Sequence, residues 1–268
     1  MAPALSLIGC HLAARDKAMQ TLCVGQGASL GVLVGLEFLA FLGTSEINEG
    51  IWPLLSAAFF SMVTFFLSEK LVSHKQASKN TYYAAIFASL LALGHLVSAL
   101  SPHLENHMSQ VFFGDLATLT NVESFVAIAM GIGLLATLLS WWRPLSGQSF
   151  GNAIFGDQVK WHTLGIRPNT FNYLSLLAVA FSVQFLGFLF TVACLFLPTT
   201  LLIAIPVRSL KSHFAWASAI ATFSTLSGFL ISLQFTRLPT VPLIVLIMVV
   251  CGGALHLVSC LSESGRSW

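Results

Sequence analysis

The chain has 268 residues, of which 56% are hydrophobic and 8% are charged, and its mean hydropathy is +0.85. A soluble domain carries about 25% charged residues, and a soluble core of this length could not bury so much apolar surface. The sequence therefore predicts an all-α, polytopic integral membrane protein, and a formal net charge of +2 gives no reason to expect nucleic acid as a partner.

Eight apolar segments approach the roughly 20 residues that a helix needs to cross a bilayer. They cover about 25–43, 51–67, 82–100, 124–142, 173–190, 191–207, 214–234 and 239–260. Residues 3–14 form an earlier apolar segment that is too short to cross about 30 Å of hydrocarbon. We therefore predict eight full spans plus a short first apolar segment, within a single transmembrane domain over residues 1–268.

The basic residues predict which loops are cytoplasmic. One set of alternate loops, together with the C-terminus, holds eleven of the twelve Lys and Arg residues, and the opposite set holds only Arg237. The opposite set also carries acidic residues, namely Glu46, Glu49, Glu105, Asp115 and Glu123. Because Lys and Arg accumulate on the cytoplasmic side, the C-terminus is predicted to be cytoplasmic and the acidic loops external.

Polar residues inside the apolar segments are candidates for a solute pathway, since such residues are costly in lipid. The first span begins with the small and polar stretch AMQTLCVGQGASLG, residues 18–31. The pathway candidates are Cys23 and Gln26 in this stretch, Glu37 near the external end of the same span, and His95. Gly27, Gly31 and Gly35 recur every fourth residue, which indicates close helix packing.

The external stretch SPHLENHMSQVFFGDLATLT, residues 101–120, has two interpretations. It is either a solvated loop or a helix at the lipid boundary that carries Phe112 and Phe113. Its polar side chains, which could attract a cation, are His103, Glu105, His107 and Asp115.

Two cytoplasmic stretches are also patterned. In residues 154–174, Val159, His162 and Leu164 could share one side of a short helix that ends at Gly165. In residues 195–214, Pro198 is expected to bend the chain, so that it follows the cytoplasmic surface before the next span. A short surface helix there, at about 198–212, could dock a cytoplasmic partner. The alternative is an ordinary kinked span followed by a basic anchor on the cytoplasmic side.

Three ordered blocks of the chain resemble the membrane permeases of ABC-type metal-ion importers for zinc, manganese and iron(II). They are LVSALSPHLENHMSQVFFGDLATLT (96–120), FGDQVKWHTLGIRPNTFNYL (155–174) and VQFLGFLFTVACLFLPTTLL (183–202). The resemblance implies a permease in the cytoplasmic membrane of a bacterium that works by alternating access as a homodimer. It implies two further partners, an ABC ATPase and an extracytoplasmic solute-binding protein. The coupling residues that it indicates are Pro198, Thr199, Thr200, Arg208 and Lys211.

One family motif is missing. Where the family's second helix usually has an Asp and a His four residues apart, this chain has Gln20 and Val24. Cys23 and Gln26 are the nearest polar substitutes, so the direct metal ligands stay open. No nucleotide-binding P-loop occurs, so we predict that the chain is not an enzyme, binds no cofactor and relies on ATP used by its partner.

Zinc is the first expected cargo, with manganese and iron as the others. The missing pair leaves two alternatives open, an importer of a metal chelate or other non-classical substrate, and a transport-inactive paralogue that pairs with a competent permease.

Overall fold

The computed structural model describes residues 1–42, 51–72, 79–101, 104–114, 119–155, 168–203, 209–235 and 238–264. Every regular element in these residues is a helix, which confirms the all-helical prediction. The helices are α1 (Ala2–Ala14), α2 (Ala18–Leu42), α3 (Ile51–Val72), α4 (Lys79–Leu100), α5 (Glu105–Phe113), α6 (Asn121–Ser140), α7 (Trp142–Phe155), α8 (Pro168–Leu186), α9 (Phe188–Ile203), α10 (Leu210–Gln234) and α11 (Thr240–Ser264).

Each of the eight predicted spans coincides with one of these helices, and the short first segment is α1. Among the described residues, five helices are long and apolar enough to cross a membrane: α2, α3, α4, α6 and α10. The described apolar parts of α8, α9 and α11 are shorter, at Thr170–Leu186, Phe188–Leu202 and Thr240–Leu255. The architecture is therefore that of a polytopic membrane protein.

The chain divides into two compact units. The first unit comprises Met1–Arg15, Asp115–Trp161 and Val192–Trp268, and so contains α1, α6, α7, most of α9, α10 and α11. The second comprises Asp16–Gly114 and His162–Thr191, and so contains α2, α3, α4, α5 and α8 with the beginning of α9. Each unit is built from segments that are far apart in sequence.

In the second unit, α2 is the central helix, and 72% of its most apolar 18-residue stretch is buried. Its glycines allow α3 to approach closely, since a Cβ on Gly31 would lie 2.6 Å from the Ser56 carbonyl oxygen and 2.8 Å from Ala57 Cα. A Cβ on Gly35 would lie 2.8 Å from Pro53 Cα, and one on Gly27 would overlap Thr64. The predicted close packing at these glycines is confirmed.

The break between α8 and α9 depends on Gly187, whose φ of +85° is a conformation that residues with a side chain rarely adopt. Gly114, which follows α5, has a φ of +71°. The two glycines touch, because a Cβ on Gly187 would lie 2.5 Å from Gly114 N. This contact fixes the end of α5 against the end of α8 within the second unit.

The stretch 101–120 contains the helix α5 over Glu105–Phe113, in agreement with the helical one of its two interpretations. The predicted helix around Val159 to Gly165 lies outside the described residues. The helix α7 was not predicted, because Arg143, Pro144 and the polar residues after them resemble a solvated connection.

The course of the chain at Pro198 differs from the prediction. The helix α9 continues through Pro198 and ends at Ile203, so the chain does not leave its span at the proline. Pro198 and Thr199 are buried, and the hydroxyl of Thr200 donates to the carbonyl oxygen of Phe196 over 3.0 Å. The carbonyl that Pro198 leaves without an N–H donor is that of Cys194, four residues earlier in the same helix.

Candidate functional site

The polar start of α2 is buried inside the second unit. Gln20 is 4% exposed, and its amide Nε2 donates to Ser68 Oγ on α3 over 3.2 Å. Cys23 is 1% exposed, and its thiol donates to the carbonyl oxygen of Tyr83 on α4 over 3.0 Å. Val24 is buried as well. Gln20 and Val24, which replace the family's Asp and His, are therefore buried between packed helices, and the bond from Cys23 connects α2 to α4.

Gln26 differs from these neighbours. It is fully buried, and neither its amide oxygen nor its amide nitrogen has a hydrogen-bond partner among the described residues. A buried polar group without a partner costs about 1–3 kcal/mol. Gln26 is therefore a pathway candidate on α2 whose amide is not used in the packing of the described residues.

Glu37 and His95 each lie near the C-terminal end of their helix, α2 and α4 respectively. Glu37 is half-buried and lies five residues before the end of α2 at Leu42. His95 is exposed on α4, and its ring stacks on that of Phe112 in α5, with centroids 6.2 Å apart and planes inclined by 18°. Phe112 in turn packs edge-on against Phe188.

The candidates that the sequence predicts to be external are only partly described. His103 and Asp115 lie outside the described residues, and Glu105 is described only as the first residue of α5. His107 is exposed on α5. Within the part of the chain that the structure describes, no three His, Cys, Asp or Glu side chains come together as a metal site.

The coupling candidates fall on two helices of the first unit. Thr199 Oγ1 is hydrogen bonded to Cys10 Sγ on α1 at 3.3 Å, and Thr200 is exposed one residue further along α9. Arg208 lies outside the described residues, whereas Lys211 is exposed in the first turn of α10. Ser209 caps that turn by accepting a hydrogen bond from the backbone N–H of Ser212 over 3.2 Å.

The first unit also contains a buried polar cluster that was not predicted from the sequence. His11 Nδ1 on α1 lies 3.1 Å from Ser149 Oγ on α7, and Arg15 Nε donates to the same oxygen over 2.9 Å. Phe214 of α10 covers the His11 ring at 4.9 Å between centroids and also contacts Trp142 at 4.5 Å. The available signal was the spacing of His11 and Arg15, four residues apart and so on one helix face.

The sequence of this chain is similar to those of known transport proteins. Residues 1–259 match the ABC 3 transport family. The manganese import system permease protein ScaB of Streptococcus parasanguinis is 23% identical over 230 residues, which cover 84% of this chain and 75% of ScaB. The high-affinity zinc uptake system membrane protein ZnuB of Haemophilus influenzae is 24% identical over 219 residues, which cover 76% of this chain and 82% of ZnuB.

The fold also matches a solved structure, PsaBC from Streptococcus pneumoniae in complex with Fab. The superposition has a TM-score of 0.71 at 19% sequence identity and covers 96% of this chain and 86% of the solved one. Since the family match extends over nearly the whole sequence, the chain belongs to the ABC 3 transport family, as the three sequence blocks predicted.

Proposed function

We propose that this chain is the permease subunit of an ABC importer that moves a divalent metal ion across the cytoplasmic membrane of a bacterium. The observation that carries the proposal is the family match over residues 1–259. One relative, ScaB, is named as the permease protein of a manganese import system, and another, ZnuB, as the membrane protein of a high-affinity zinc uptake system. We place zinc first, with manganese and iron(II) as the other cargoes, because an imidazole such as that of His95 suits zinc better than manganese.

In this proposal the chain itself performs no covalent chemistry. Eight full spans and the short α1 form one permease domain with a cytoplasmic C-terminus, and two copies enclose a pathway that opens alternately to each side. A separate ATPase docks at about 198–212, where Lys211 is exposed at the start of α10, and supplies the free energy. An extracytoplasmic solute-binding protein delivers the ion to the acidic external loops, which attract cations electrostatically.

The test is uptake of isotopically labelled zinc, manganese and iron(II) by cells that lack the chromosomal copy and express the full chain with its ATPase and binding protein. We expect ATP-dependent uptake of at least one ion, zinc first, and no uptake when the chain is omitted. Wild-type chain at normal abundance that moves none of the three free ions would overturn the proposal.

A second candidate is an importer of a metal chelate. The observation that favours it is the loss of the family's Asp and His, since Gln20 is hydrogen bonded to Ser68 and Val24 is buried. A bare cation finds no carboxylate at this point of α2, whereas a chelate brings its own ligands. Growth rescue by chelated metal, without rescue by any free ion, would select this candidate over the first.

A further inference from the structure

The helix α1 is too short to cross a membrane, and yet it is almost wholly buried. Its 13 residues extend about 20 Å, compared with about 30 Å for the hydrocarbon of a bilayer. Every residue from 4 to 12 is buried, so no face of this part is left to solvent or lipid. The helix is therefore an internal element of the first unit, and its contacts there indicate its role.

One set of contacts joins α1 to the last turns of α9. A Cβ on Gly9 would overlap the carbonyl of Leu195, so the two helices cross in backbone contact. One turn further along α9, Thr199 Oγ1 is hydrogen bonded to Cys10 Sγ at 3.3 Å, and both side chains are buried. The helix α1 thus holds the helix that leads into the predicted coupling segment at about 198–212.

The next residue of α1 contacts the first turns of α10. The ring of His11 lies 4.9 Å from that of Phe214 between centroids. Two rings of α7, those of Trp142 and Phe150, lie 4.5 Å and 5.7 Å from the same phenyl ring. Phe214 is buried and is the fifth residue of α10, which begins at Leu210. The helix α1 thus also holds the helix that leads out of the coupling segment.

The ring of His11 is itself fixed by α7. Its Nδ1 lies 3.1 Å from Ser149 Oγ, and Arg15 Nε donates to the same oxygen over 2.9 Å. One edge of the imidazole is therefore bonded to α7 while a face of it packs on Phe214. Since both contacts act on one rigid ring, the start of α10 is held in register with α7 as well as with α1.

Three consecutive residues of α1 therefore contact both described flanks of the coupling segment. These residues, 9–11, are here named the α1 clasp. The flank at 198–203 belongs to α9 and the flank at 209–214 belongs to α10, whereas 204–208 lie outside the described residues. Close-packed interiors transmit strain because they leave little free volume to absorb it. A displacement of either flank is therefore passed to α1 and, through His11, to α7.

We propose that the α1 clasp positions the coupling segment for the ATPase partner. It fixes both flanks of the segment to α1 and α7, so that a movement imposed by the ATPase reaches the interior of the first unit instead of being lost in the segment. The residues of the clasp are buried and act through Thr199 and Phe214, and so they are positioning residues. This proposal rests on the proposed function, because it takes the ATPase to dock at about 198–212.

The competing interpretation is that the clasp only stabilises the first unit. The two interpretations differ in the number of ions imported per ATP hydrolysed. A contact that only stabilises the fold changes the amount of folded permease, and so it changes transport and coupled hydrolysis together and leaves their ratio constant. A contact that couples the two lowers the ratio in permease that is folded and still binds its ATPase.

The test uses the full chain with its ATPase and binding protein in proteoliposomes, with labelled zinc as the probe. Cys10→Ala removes the bond to Thr199, whereas Cys10→Ser keeps a hydroxyl that can form it. Phe214→Leu removes the ring on which His11 packs. Each variant is compared with wild type for zinc imported per ATP hydrolysed and for the amount of ATPase that copurifies.

Ser232→Ala is the matched control. Its hydroxyl is buried in the same unit and is hydrogen bonded to Thr240 at 3.0 Å, a bond between two side chains like that of Cys10 with Thr199. Ser232 lies two residues before the end of α10 at Gln234, and so at the opposite end of this helix from the coupling segment. Its loss should lower the melting temperature without changing the ratio.

We expect Cys10→Ala and Phe214→Leu to keep their ATPase and to import about 2- to 30-fold less zinc per ATP, the range that changes along a coupling network produce. Cys10→Ser should stay near wild type. A wild-type ratio in both Cys10→Ala and Phe214→Leu would overturn the proposal, and so would an equal loss in Ser232→Ala. If Phe214→Leu does not accumulate, the two Cys10 variants decide the matter.

A second readout needs no transported metal, namely the rate of ATP hydrolysis by the ATPase with and without the permease. Permease-dependent hydrolysis that Cys10→Ala abolishes would support the clasp even if wild type imports no free ion, a result that refutes the metal-ion cargo alone. Zinc import by wild type, with an unchanged ratio in both clasp variants, would refute the clasp and leave the permease function standing. A wild-type chain that binds no ATPase would overturn both proposals.

Discussion

The helices α1 and α2 are both buried and both carry polar side chains, but these side chains differ in whether they have hydrogen-bond partners. In the first unit, Cys10 of α1 is hydrogen bonded to Thr199, and His11 of α1 and Arg15, the residue that follows α1, share the hydroxyl of Ser149. The named polar side chains of α1 therefore connect it to α9 and α7. Their polarity is explained by structure alone, because each bond joins two elements of one compact unit.

In the second unit, only some of the polar side chains of α2 bond to neighbouring helices. Gln20 bonds to Ser68 and Cys23 to the Tyr83 carbonyl, whereas Gln26, one turn further along, has an amide with no partner among the described residues. Since a buried amide without partners destabilises a protein, its presence suggests a role outside folding. The difference separates residues that hold the helices together from a residue that packing does not explain.

The largest effect is expected where both helices use glycine for backbone contact. Gly9→Ala on α1 would place a Cβ against the Leu195 carbonyl, and Gly31→Ala on α2 would place one 2.6 Å from the Ser56 carbonyl oxygen. Overpacking against backbone costs about 1–3 kcal/mol or more. We expect both variants to lower the apparent melting temperature by several degrees in detergent, measured by size-exclusion chromatography after heating.

The matched control for these glycines is Gly133→Ala on α6, where the described residues place no atom outside the glycine's own helical backbone within 4 Å of the added Cβ. Alanine in a helix is favoured over glycine by about 1 kcal/mol, so this variant should melt at the same temperature or higher. Equal melting of Gly9→Ala and Gly133→Ala would show that α1 and α9 are not in backbone contact.

The next effect concerns the polar cluster of α1. Ser149→Ala removes the hydroxyl that His11 and Arg15 share, and a lost partner of a buried polar group costs about 1–3 kcal/mol. We expect a clear drop in melting temperature. Ser146→Ala on the same helix is the control, since its hydroxyl bonds only to backbone carbonyls one turn away. A drop of equal size in both variants would contradict a bridging role for Ser149.

Much of the fold could be predicted from the sequence because local patterns specify it. Runs of apolar residues predict the helices, and the repeat of Gly27, Gly31 and Gly35 predicts a close neighbour for α2. The cluster around Ser149 could not be found in this way, because its partner His11 is 138 residues distant in sequence. Local patterns also misplace the end of α9, since a proline signals a break whether or not the helix is supported around it.

The candidate site was less predictable than the fold. The sequence identifies Cys23 and Gln26 as equivalent polar substitutes on α2, but only the structure distinguishes a bonded thiol from an amide without a partner. Likewise, His95 is one polar residue in an apolar run until its exposure on α4 is known. Polarity can be read from sequence, whereas the partners of a polar group depend on the packing of other helices.

The smallest loss of stability is expected at Gln26, and it tests the comparison between α1 and α2 most directly. Gln26→Leu replaces an amide that has no partner among the described residues by an apolar group of similar size, so the melting temperature should stay the same or rise, with a gain in stability of at most the roughly 1–3 kcal/mol that such an amide costs. Gln20→Leu, which loses the bond to Ser68, should melt lower. Zinc uptake should fall in Gln26→Leu at unchanged protein level, because a pathway group acts on the cargo and not on folding. If Gln26→Leu instead melts below Gln20→Leu, the Gln26 amide is a packing group like those of α1, and the distinction between the two helices disappears.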